Sequence, residues 1–154
     1  MTPNYFNHIM KKNLLIIFIL MLYLNGSSQS IEGKWKTIDD ETGKEKSIVE
    51  IYQAEGKIYA KIVKLLVKGE ENRVCENCKG INKNKPLKGL VVIDGLKKDG
   101  NEWNGAKILD PKTGKEYKCY ITLEGPNKLK VRGYLGFALL GRTQYWYRVV
   151  AKKY

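Results

Sequence analysis

From Gly33 onward, apolar and aromatic residues fall at every second position, in short runs broken by glycine, proline, asparagine or aspartate. That spacing puts alternate side chains on opposite faces and predicts strands. GKWKTI (Gly33–Ile38) stops at DDETGK, where Gly43 supplies the turn. Residues 47–53 and 57–66 form a hairpin across Gly56. Further runs are predicted over residues 88–96, 102–109, 116–124, 128–134 and 142–150. No stretch keeps a helical period over three turns. Eight strands with mostly short connections predict an all-β, antiparallel up-and-down meander. Closing such a meander into an eight-stranded barrel removes its exposed edges.

Two segments break the alternation. Residues 67–88 form a polar connection of 22 residues, long for a structureless link in a compact domain. Residues 133–141, GYLGFALLG, are apolar and punctuated by glycine. A short plug for one barrel end is the expected reading of this second segment, with a lid over an opening as the alternative. The loops at residues 39–44 and 110–115 both carry Thr-Gly-Lys, which is recurring turn chemistry and no sign of duplication.

The N-terminus sets the compartment. Lys11-Lys12 precede an apolar run over residues 14–24, and NGSSQS follows with small residues at Gly26 and Ser28. This is the pattern of an export signal, cleaved after Ser28 or, second, after Ser30. Met10 begins a more typical signal than Met1. The apolar run is too short to span a bilayer, which takes about 20 residues. The expected organisation is therefore a signal peptide at residues 1–28 and one domain at 29–154, periplasmic or secreted. Removing residues 1–28 takes Lys11 and Lys12 but no acid, lowering the net charge from +12 to +10. Such an excess favours anionic partners, among them envelope polymers and lipid headgroups. Export, and lysines spread along the whole chain, argue against nucleic acid.

Compartment in turn decides the reading of RVCENCKG. Histidine occurs once, at His8 in the segment expected to be removed, so Cys75, Cys78 and Cys119 lack the partners of a zinc site. The flanks of Cys75 and Cys78 are loop-like, whereas a redox dithiol sits at a helix N-terminus. A disulfide staple across Cys75–Cys78 is the favoured reading, with local shape as its main effect. Cys119, on the apolar face of its strand, is expected as a buried free thiol. No cofactor is expected. Acids gather in turns, at Asp39-Asp40-Glu41 and Glu70-Glu71, so the chain is expected not to be an enzyme, with thiol redox chemistry the one residual route.

In the last strand Arg142, Gln144, Trp146 and Arg148 share one side, and Thr143, Tyr145, Tyr147 and Val149 the other. If the arginine side faces inward, the barrel holds a polar, cationic cavity. If it faces outward, the same residues form a solvated face, and alternation alone does not choose. Arg132, Arg142, Gln144, Trp146 and Arg148 are the candidate ligand contacts.

The stretches carrying Trp35 and the 39–44 loop, Cys75/Cys78, Trp103 with Gly105, Asp110-Pro111 with Gly114, and Gly141-Arg142-Thr143-Gln144 with Trp146 resemble a bacterial exported family. It is catalogued as domain of unknown function 2147, and the likeness covers nearly all of residues 31–150. This resemblance implies location and fold, and no activity. Gly33-Lys34-Trp35 is also similar to the Gly-x-Trp signature of lipocalins and related barrels. That likeness implies a structural role for Gly33 and Trp35, with Arg142 or Arg148 packing over the tryptophan; the inserted Cys-x-x-Cys loop departs from it. The function expected is non-catalytic binding of a small amphipathic or anionic ligand. The alternative is an envelope interaction or scaffolding module that uses the basic surface and the stapled loop.

Overall fold

A computed structural model describes residues 30–150. The expected export segment at residues 1–28, with the cleavage position after Ser28 and His8, lies outside the described residues. Eight strands follow in order: β1 (Gly33–Ile38), β2 (Glu45–Ala54), β3 (Lys57–Leu65), β4 (Val91–Asp99), β5 (Glu102–Asp110), β6 (Lys115–Leu123), β7 (Lys128–Tyr134) and β8 (Gly141–Arg148). Each pairs antiparallel with the next, and β8 returns to β1 through Trp35–Arg148 and Thr37–Trp146, closing the barrel. The closed eight-stranded meander expected from the alternation is what forms. None of the described helices is long and apolar enough to cross a membrane.

The pleat sends one face of every strand inward. At the end holding the β2–β3, β4–β5 and β6–β7 turns, Trp35, Ile51, Leu96, Ile121 and Leu129 are no more than 1% exposed and fill the interior. The barrel is shut there from outside as well. Arg148 lays its guanidinium carbon 4.1 Å from the Trp35 ring centre. Its Nη1 donates to the Glu32 carbonyl and its Nε to the Pro126 carbonyl. Trp35 Nε1 donates to the Ile31 carbonyl at 2.8 Å. Gly33, at φ +119°, is needed because a Cβ there would press within 3.2 Å of Arg148 Nη1. Of the two arginines that could pack over Trp35, Arg148 is the one that does.

The connection from Leu66 to Leu90 is ordered along its length. Cys75 N donates to Lys85 O, Leu87 N to Arg73 O and Gly89 N to Ile62 O, with a single 3-10 turn at Gly80–Asn82 between. Cys75 and Cys78 are disulfide-bonded, and both are buried, as are Leu87 and Leu90. The segment thus contributes to the core, and excising residues 67–88 would uncover it.

Residues 133–141 do not plug the barrel. The turn between β7 and β8 leaves Phe137 and Leu139 in solvent, 79% and 92% exposed. Its backbone is tethered from the outer face by Arg132, whose Nε donates to the Ala138 carbonyl at 2.8 Å. That tether fixes the turn at the rim, where Leu135 and Leu140 border the cavity.

Candidate functional site

The other end of the barrel is open. A cavity of about 630 Å³ runs inward from the mouth formed by the β1–β2, β3–β4, β5–β6 and β7–β8 connections. That volume accommodates one small molecule. Two mouth turns use the same chemistry. Asp39 Oδ1 accepts from Thr42 N and Thr42 Oγ1, and the Asp110 carboxylate accepts from Lys112 N and Thr113 Oγ1. The recurring Thr-Gly-Lys loops are therefore paired rim pieces. The Asp39 carboxyl is held below its ordinary pKa by the Thr42 amide and hydroxyl.

The cavity wall has two sides. Val49, Ile62, Leu65, Val92 and Val131 make one apolar. The other is a polar seam on β8, β1 and β2, and register explains its position: Thr37 stands opposite both Trp146 and Ser47. At the rim, Arg142 Nε and Nη2 donate to the Asp40 carboxylate in a two-point ion pair. Gln144 Nε2 also donates to Asp40 Oδ1, at 3.3 Å. The Arg142 guanidinium, then Gln144, hold the Asp40 carboxyl below the usual carboxylate range; Asp40 in turn raises the pKa of Arg142. Deeper, the Thr37 and Ser47 hydroxyls lie 2.8 Å apart and satisfy one another. Across the register from Thr37 stands Trp146, 3% exposed. Its Nε1 is the one buried side-chain polar atom without a hydrogen-bond partner among the described residues.

The candidate contacts divide accordingly. The Arg142–Arg148 side of β8 faces inward, and Arg142, Gln144 and Trp146 line the cavity. Arg148 does not reach it; it closes the opposite end, bonded to carbonyls. Arg132 does not reach it either, because its position alternates with the buried Leu129 and Val131, and its Nη1 donates to Thr143 Oγ1 on the outside. Asp40 was not among the candidates; its place in an acidic turn gave no sign of an arginine 102 positions away. Among the described residues no cluster of histidine, cysteine, aspartate or glutamate could hold a metal ion.

Cys119 is a buried free thiol on the inner wall of β6, and burial pushes its pKa up to about 12 from an ordinary 9.0. The folded state keeps this proton after the unfolded state has lost it. Its stabilising contribution is therefore complete below about pH 9 and lost as pH rises towards 12. The expected outcome at pH 8 is that iodoacetamide leaves the native protein unlabelled and labels it rapidly in urea, as read by mass spectrometry.

Among solved structures, protein HP1028 from Helicobacter pylori, described as belonging to the lipocalin family, is similar at a TM-score of 0.70 and 21% identity. The match covers 80% of this chain and 85% of that one, and at this identity it shows a shared fold. No curated protein matches the chain. The family model described as "Uncharacterized protein conserved in bacteria (DUF2147)" matches residues 33–148, from the first residue of β1 to the last of β8, and the chain belongs to that family.

Proposed function

We propose that this barrel is an exported, non-catalytic binding protein for one small amphipathic molecule. The ligand lies along the cavity with its apolar body against the Val49–Ile62–Val92 wall and a hydrogen-bond acceptor at Trp146. The observation that carries this reading is Trp146, which lines the cavity and whose buried Nε1 is the one side-chain polar atom without a partner among the described residues. A buried donor without a partner costs about 1–3 kcal/mol, which an acceptor on a ligand would relieve. An anionic head group has a second place, at Arg142 and Gln144, where it must displace the Asp40 carboxylate. The export pattern at residues 1–28 and the lipocalin-like fold support the same reading.

Native mass spectrometry of protein purified from its own cells should show one added small mass per chain. Trp146→Phe keeps the ring and removes the donor, so the retained ligand should bind several-fold more weakly, the loss of about 1 kcal/mol. In wild type, the indole proton signal absent from the Trp146→Phe spectrum should shift when ligand is added. A protein that carries no ligand and takes none up from an extract of its own cells would overturn the proposal.

A further inference from the structure

The β7–β8 turn exposes an apolar tip. Leu135, Phe137, Leu139 and Leu140 are 60%, 79%, 92% and 72% exposed. So large an apolar display in one turn is unfavourable in water and marks an interaction site. The turn is also built to hold it. Leu135 N donates to Leu140 O and Leu140 N to Phe137 O. From the outer wall, Arg132 Nε and Nη2 donate to the carbonyls of Ala138 and Leu139.

The outer wall beneath the tip has its own pattern. Cross-strand register pairs Lys118 with Tyr134, Arg132 with Tyr120, and Lys130 with Tyr145. Neither Lys118 nor Lys130 meets an acid among the described residues. Basic residues alternating with tyrosine suit the headgroup level of a bilayer, where a side chain has one apolar part and one wet end.

We propose that this tip docks on an anionic lipid bilayer, Phe137 and Leu139 entering the acyl boundary while Lys118 and Lys130 face the headgroups. Two observations choose a bilayer over a protein. The tip presents four exposed apolar side chains from a single turn, whereas a stable protein interface buries about 800 Å² on each partner. The flanking wall carries positive charge that complements anionic lipid, on a chain of net charge +10 without residues 1–28. Leu135 and Leu140 belong both to the tip and to the cavity lining, so a docked barrel opens its mouth at the lipid surface. Resting on the binding function proposed above, this lets an amphipathic ligand pass between bilayer and cavity without crossing water.

The test is flotation of protein purified from its own cells with vesicles of phosphatidylcholine alone and of equimolar phosphatidylcholine and phosphatidylglycerol. Wild type should float with the anionic vesicles, less so in high salt. The double substitution Phe137→Glu, Leu139→Glu should weaken this at least tenfold while leaving the melting temperature unchanged, because neither side chain is in the core. Lys118→Glu with Lys130→Glu should erase the preference for anionic lipid. Wild type that floats with neither vesicle, or a double variant that floats as wild type does, overturns the proposal. So does a concentration-dependent dimer that the double variant abolishes, since the tip would then belong to a second copy. Native mass spectrometry on the same samples separates the two readings: ligand retained without flotation refutes docking alone, and flotation without ligand refutes the binding function alone.

Discussion

Trp35→Ala should lower the unfolding free energy by about 4 kcal/mol, a large part of what a domain of this size has. The melting temperature should fall on the order of 15 °C. Trp35 is fully buried beneath the cavity floor, where truncation leaves a void that Ile51, Leu96 and Leu129 cannot fill without moving the strands. Two further contacts go with the ring. One is the hydrogen bond from Nε1 to Ile31, which ties down the segment entering β1. The other is the face on which the Arg148 guanidinium lies, across the seam where first strand meets last. Trp35→Phe keeps a ring for Arg148 and loses the hydrogen bond, so it should cost about 1–2 kcal/mol. Urea unfolding followed by far-ultraviolet circular dichroism measures both. A loss near 1 kcal/mol for the alanine variant would mean that closure is carried elsewhere than at this seam.

The barrel was legible because a closed antiparallel sheet has a dry inside and a wet outside, and the pleat writes that difference into every second residue. β1 and β7 begin and end where the alternation does. In β8 the alternation separates Arg142, Gln144, Trp146 and Arg148 from their neighbours but gives no sign of direction, since aromatic residues occur on both sides. Direction comes from the partners of β8: Thr37 and Leu129, both inward, stand opposite Trp146. What stayed hidden depends on contacts between distant segments. The 67–88 segment looks polar because its buried residues are few and irregularly spaced, and its backbone bonds are ones any residue can make. The 133–141 segment looks like a plug because apolar residues usually go inward; an arginine on the outer wall fixes it at the rim instead. Asp40 looks like one more solvated acid until the fold brings Arg142 to it.

A comparison of two glycines tests whether the stapled connection is part of the cavity wall or an appendage. Gly114 and Gly43 occupy equivalent places in the two Thr-Gly-Lys turns, at φ +68° and +70°. Alanine at either meets the same left-handed backbone cost, about 1–2 kcal/mol. Around Gly43 nothing lies within 4 Å of the added Cβ, so Gly43→Ala should lose that amount and no more. At Gly114 the Cβ would fall 1.8 Å from the Asn77 carbonyl oxygen and 2.9 Å from the Cys78 nitrogen. Those are backbone atoms beside the disulfide and cannot rotate away. The turn and the stapled loop must separate, losing the bond from Asn77 Nδ2 to the Lys112 carbonyl and uncovering Cys75 and Cys78. Gly114→Ala should therefore cost about 2 kcal/mol more than Gly43→Ala, on the scale of one buried polar contact and partial exposure of two core residues. It should also weaken the ligand binding proposed above, because Arg73 and Leu87 line the cavity from the displaced segment. Paired urea titrations and hydrogen exchange across residues 67–88 measure the difference. Equal losses at the two glycines would show that docking of the stapled loop adds nothing to the fold, and the mouth would then be shaped by the strand turns alone.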